Sequence, residues 1–359
     1  MQPLKDFLGK EYISSLADEL KKNYKSFDKD TFKNSFTSPH WDEKTLKERI
    51  RYIAEQIHVF LPTEFKNQVR IIKLIAPKFS GLQGLVFPDF VQTFGLDNYE
   101  ISIEALEFLT PHSTSEFAIR PFIEKYPKKS IKTIHEWSAS NNYHVRRLAS
   151  EGSRPKLPWA KPLTEFIKNP ELCLEILENL KNDDSLYVRK SVANHLNDIS
   201  KNHPELVLKL CKNWYGSSQN TNWIVKHSLR TLLKKGNREA LSIFDTSDTE
   251  NIEIDKFRLL KSKLKIGDTF QFEFCLSNSS SFNKTIRLEY IIHYVKSIGK
   301  TSPKIFKISE SIIQAQSSKK YSKSHSFADL STRKHYKGKH KLTLVVNGEQ
   351  KVVEFFELT

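Results

Sequence analysis

The chain has 359 residues, 38% of them hydrophobic and 28% charged, with a formal net charge of +15. That length accommodates two domains of ordinary size, each with its own core. No window approaches the 18 apolar residues of a membrane span, the mixed acid-and-base N-terminus does not read as a secretion signal, and Cys173, Cys211 and Cys275 are too few and too scattered for a disulfide framework or a zinc site. A reducing cytoplasm is therefore the expected compartment.

From the start to about Glu250 apolar residues recur at three and four, as at Ile50, Ile53, Ala54 and Ile57, which predicts helices. Three segments resemble one another: YHVRRLASEG from Tyr143, YVRKSVANHLNDIS from Tyr187 and WIVKHSLRTLLKKG from Trp223. Their valines, Val145, Val188 and Val225, are spaced at about the period of HEAT and armadillo repeats, so an α-solenoid is expected. Residues 245–262 read as a connection, with the linker proper at 251–262. From 263 to 359 the period changes to two. TFQFEFCLSN, TIRLEYIIHYV, KIFKISES and KYSKSHSF are strand candidates, and Asn347-Gly348 joins two further alternating runs as a hairpin. The expected fold is multidomain: helical repeats over 1–250, then a small antiparallel β-sandwich over 263–359.

Charge is distributed unevenly. From Lys256 onward 20 Lys and Arg stand against 8 Asp and Glu, so that stretch carries +12 of the total. A domain of that sign attracts polyanions, nucleic acid foremost.

In the helical part, carboxylates recur at element ends. Val145, Leu148 and Ala149 share the core face of their helix, which turns Arg146, Arg147, Ser150 and Glu151 outward. The next repeat buries Val188, Val192, Leu196 and Ile199 and leaves Asp198 on the flank. Upstream, STSEFAIRPF places Glu116 just before another helix. Each acid has an ordinary reading, as a capping residue for Glu116, an i, i+4 partner of Arg147 for Glu151 and a solvated helix end for Asp198. Trp159 after Pro158 can equally be a loop anchor. Histidines 112, 135, 144, 195 and 203 lack paired metal spacing and read as structural or surface residues.

SEFAIRPF, HVRRLASEGSRPKLPW and YVRKSVANHLNDISK resemble signature segments of the AlkC-type DNA alkylation-repair glycosylases, most closely from about residue 111 to 215. The resemblance implies a HEAT-like repeat catalytic domain, with an immunoglobulin-like C-terminal domain in some relatives. It also implies base excision repair of alkylation damage, with hydrolysis of the N-glycosidic bond of cationic alkylated bases, chiefly 3-methyladenine, in duplex DNA. By position it assigns catalysis to Glu116, Glu151 and Asp198, contact with the lesion to Trp159, and DNA binding to Arg147 and Arg154, with Arg146 counted beside them. No metal, no nucleotide cofactor and no membrane partner are expected from the residues, and a monomer is expected. The competing reading is a non-catalytic HEAT-repeat protein that binds nucleic acid or serves as a scaffold.

Overall fold

Three- and four-residue apolar spacing forms helices through the first two thirds of the chain. In Leu46–Phe60 the four residues Ile50, Ile53, Ala54 and Ile57 are all buried, and a reciprocal capping box between Thr45 and Glu48 fixes its start. The computed structural model describes residues 3–244, 249–297, 299–330 and 333–359. These divide into two compact units: one holds the residues up to His203 together with Gly216–Ser228, the other Pro204–Tyr215 together with everything described from Leu229 onward.

In the first unit the repeating valines do what their spacing predicts. Val145, Val188 and Val225 are buried within helices Tyr143–Gly152, Leu186–Ile199 and Gln219–Ser228. These helices pack in series, Tyr143–Gly152 against Leu186–Ile199 and that against Gln219–Ser228, while Pro127–Ser138 also packs on the first. Such stacking of each repeat on its neighbours is the expected consequence of faces that no single repeat can bury alone.

The second unit contains eight strands among its described residues: β1 Ile252–Leu259, β2 Lys263–Leu264, β3 Thr269–Asn278, β4 Lys284–Val295, β5 Thr301–Ile313, β6 Ser317–Ser326, β7 Gly338–Val346 and β8 Glu349–Leu358. They make a three-stranded sheet, β1-β3-β6, and a five-stranded sheet, β2-β8-β7-β4-β5. Alternate residues of facing strands fill one core: Phe270, Phe272, Phe274 and Leu276 from β3 meet Ile286, Leu288, Tyr290 and Ile292 from β4 and Leu342, Leu344 and Val346 from β7. Asn347 and Gly348 have φ of 47° and 80°, as the two-residue hairpin turn between β7 and β8 demands.

One expectation needs correction. The segment read as linker, 251–262, is largely the strand β1, paired with β3. A bulge between Asp255 and Arg258, with Lys256 at φ 52°, hides its alternation, because the inward set slips from Ile252 and Ile254 to Phe257 and Leu259. Residues 245–248 of the expected connection lie outside the described residues. The sandwich is antiparallel as expected, apart from the two-residue β2, which runs parallel to β8.

Candidate active site

The HVRRLASEG helix starts at Asn142, whose side chain accepts the His144 amide at 2.9 Å. Its last turn is enclosed, not outward-facing: Ser150 and Glu151 are buried along with Val145, Leu148 and Ala149. Gly152 makes that enclosure possible, because a Cβ there would stand 2.5 Å from Ile119 Cγ2. From the next repeat, Ser191 Oγ donates to Glu151 Oε2 at 2.6 Å and lies 2.9 Å from Ser150 Oγ, and the His195 Nδ1 proton goes to the Ser150 carbonyl at 2.9 Å. Burial pushes the His195 pKa down to about 4, so the ring is neutral.

The three carboxylates converge. Arg147 pairs with Glu116 and reaches Glu151 Oε1 at 3.6 Å; Arg154 donates to Glu151 Oε1 at 2.6 Å and to Asp198 Oδ2 at 2.8 Å; Lys201 holds Asp198 Oδ1 at 2.8 Å. Glu116, Glu151 and Asp198 are only 9%, 6% and 3% exposed. Thr114 Oγ1 accepts from Arg147 and donates to Glu116 Oε2, both at 2.9 Å, whereas Glu116 Oε1 carries no hydrogen bond among the described residues. Formal charge in the cluster balances, three carboxylates against two guanidiniums and one ammonium. Burial works against the Arg154 charge, but Glu151 and Asp198 more than offset it and raise its pKa above the ordinary value.

The arginines expected at DNA are therefore engaged within the protein. Arg154 is buried and bridges two acids, Arg147 bridges two, and Arg146 forks onto both Asp183 oxygens at 2.6 and 3.1 Å. Periodicity places a side chain on a face; it does not reveal which neighbouring element covers that face.

After the helix the chain forms a fastened loop. Arg120 donates to the carbonyls of Gly152 at 3.0 Å, Arg154 at 2.8 Å and Lys161 at 2.7 Å. Burial lowers its pKa to about 10, still well above neutrality. At the tip Trp159 is 73% exposed with φ 66°, a left-handed backbone that a bulky residue rarely adopts, and its carbonyl accepts from Lys47. A pocket of about 330 Å³ opens here, lined by Glu116, Phe117, Glu151, Arg154, Leu157, Pro158 and Trp159. Asp198 stands behind Arg154 and does not line it.

Sequence alone does not single out Arg120, Thr114, Phe117, Lys47 or Ser191. Signals exist for some of them: Phe117 and Arg120 lie within the SEFAIRPF segment, and Ser191, His195 and Asp198 fall at i, i+4 and i+7, one face of a helix. Among the described residues no group of three His, Cys, Asp or Glu side chains is arranged to hold a metal ion, and no helix is long and apolar enough to cross a membrane.

Comparison with known proteins finds relatives of the chain. Residues 111–232 match the family described as DNA alkylation repair enzyme, and residues 253–359 match the C-terminal Ig-like domain of the uncharacterised protein YhaZ. The chain is 44% identical over 351 residues to "Uncharacterized protein YhaZ" of Bacillus subtilis (strain 168), covering 98% of each. Its structure superposes on Pseudomonas fluorescens alkylpurine DNA glycosylase AlkC, bound to DNA containing an abasic site analog, with a TM-score of 0.93 and 35% identity over 100% of both chains.

Proposed function

The chain belongs to the AlkC-type family of DNA alkylation-repair glycosylases, and on that premise we propose that it excises cationic alkylated bases, chiefly 3-methyladenine, from duplex DNA. The observation that carries this reading is the linkage of Glu116, Glu151 and Asp198 by Arg147 and Arg154, with Glu116 and Glu151 lining a pocket walled by Trp159 and Asp198 behind Arg154.

The chemistry needs little else. A purine alkylated at N3 is positively charged and is already a good leaving group, so no general acid has to protonate it. As the glycosidic bond breaks, positive charge builds on the sugar, and nearby carboxylates stabilise it. One carboxylate at about 4 Å, with an effective dielectric of about 20, contributes roughly 4 kcal/mol, on the order of a thousandfold in rate. Glu116 Oε1, free of protein partners among the described residues and belonging to a pocket-lining side chain, is the oxygen we assign to the attacking water. Glu151 and Asp198 have their oxygens occupied and supply field. Arg147 and Arg154 fix these acids in place and offset their charge, which lets a phosphate backbone approach; any shift of either guanidinium toward a phosphate strengthens the negative field at the lesion. Trp159, exposed and apolar, stacks on the damaged nucleotide.

Incubation with methylated duplex DNA tests the reading directly. Wild type should release free 3-methyladenine and leave abasic sites, whereas Glu116→Gln, Glu151→Gln and Asp198→Asn should lose most of that release and still bind DNA. Binding without any base release by the wild-type protein would instead identify a non-catalytic nucleic-acid-binding protein.

A further inference from the structure

Beside the acidic pocket lies a second and larger cleft, of about 390 Å³, which the reaction described above does not use. The two share a partition, since Phe117 and Trp159 line both. Lys47 ties that partition from the cleft side, with its ammonium bonded to the Trp159 carbonyl and 5.8 Å from the centre of the Phe117 ring. The cleft floor is apolar, with Leu46, Ile50, Leu82, Leu85, Pro88 and Pro121 contributing. Its rim carries paired polar groups, Arg51 with Asp89 at 2.7 Å and Lys161 with Glu124 at 3.1 Å.

The two chambers differ in the charge they suit, and glycosidic cleavage changes the charge of the base. When the bond between the sugar and the purine breaks, its electron pair goes to the purine nitrogen and the cationic base becomes neutral. Water oxygen bonds to the sugar carbon and gives up one proton, first to a carboxylate and then to solvent. The carboxylate pocket favours the cation before cleavage and loses its hold on the base after it. An apolar chamber with mixed donors and acceptors at the rim is the complementary environment for a neutral, flat, hydrogen-bonding heterocycle, and its volume lies within the range of about 300–1,000 Å³ usual for small-molecule sites. Resting on the glycosylase reading above, we infer that this cleft is a product subsite that takes up the excised neutral alkylpurine past the exposed edge of the Phe117–Trp159 partition, which itself stays in place. Base uptake there separates the leaving group from the sugar and disfavours its return.

The test is equilibrium dialysis of the full-length, DNA-free protein against radiolabelled 3-methyladenine, alongside single-turnover excision from methylated duplex. Wild type should bind the free base, Leu85→Trp should fill the cleft and weaken that binding at least tenfold, and its single-turnover excision should stay within about twofold. Leu82→Asp, which makes the floor polar without filling it, should also weaken base binding at least tenfold; thermal melting establishes that each variant is folded. Excision by a wild-type protein that binds no free base would overturn the subsite and leave the glycosylase reading standing. So would wild-type affinity in both folded variants. Binding of free base without any excision from DNA would overturn the glycosylase reading, and the product assignment with it.

Discussion

Arg154 is the side chain on which the acidic cluster most depends. It is buried, and its guanidinium donates to Glu151 at 2.6 Å and to Asp198 at 2.8 and 2.9 Å. In Arg154→Met, Glu151 keeps Ser191 at 2.6 Å and Arg147 at 3.6 Å, and Asp198 keeps, among the described residues, the ion pair with Lys201 at 2.8 Å. Two buried carboxylates then face each other with one guanidinium fewer between them. Removing one partner of a buried ion pair costs about 3–5 kcal/mol, which for a unit of this size lowers the melting temperature by about 10 °C. The diagnostic step is a double-mutant cycle. Asp198→Asn alone breaks the pair and should destabilise, yet in the Arg154→Met background it removes an uncompensated charge and should restore about 1 kcal/mol or more. Urea unfolding of the four proteins at pH 7 measures this. If Asp198→Asn destabilises both backgrounds equally, Arg154 and Asp198 are not coupled and the picture of a charge-balanced cluster is wrong.

Three further outcomes are expected. His195 is fully buried with a pKa near 4, below its unfolded value of about 6.5, so its contribution to stability is complete above pH 6.5 and is lost as pH falls through 4. Over that window the wild type should lose about 3 kcal/mol more than His195→Asn, measured as urea midpoints at pH 7 and pH 4; parallel losses would show that burial does not keep the ring neutral. Trp159→Gly removes both a left-handed bulky residue and the exposed ring, so stability should rise by about 1 kcal/mol while base release falls; unchanged release would exclude a role for the ring. Finally, Lys319→Glu with Lys323→Glu on β6 should weaken DNA binding and reduce the salt slope by about 0.9 for each phosphate that the strand no longer neutralises. An unchanged slope would mean this strand does not touch DNA.

Sequence made legible whatever depends on one chain segment at a time. The stripes at Val145 and Val188, the alternation in β3 and the Asn347-Gly348 turn are local patterns with local causes. Motif resemblance and helix-end position both mark Glu116, Glu151 and Asp198 as candidates, and the structure links them through Arg147 and Arg154. What escaped was the relation between segments. Glu151 reads as solvent-facing because nothing in its own helix indicates that Ser191 covers it, and Arg154, a DNA contact by motif resemblance, bonds one acid three residues away and another, Asp198, 44 residues away that its own segment does not reveal. Strand β1 escaped for a different reason: a bulge shifts the inward set by one residue, and a period-two reading cannot follow it.

Arg120 holds three carbonyls of the loop that carries Trp159. A loop fastened in this way is ordered before any ligand arrives, so recognition need not offset the entropy of arranging it. The same rigidity limits tolerance. On the proposed glycosylase reading, a wall whose backbone cannot retreat would sort adducts by bulk as well as by charge, so an N3-ethyl purine, no less cationic than its methyl counterpart, should be turned over more slowly purely because of its extra carbon.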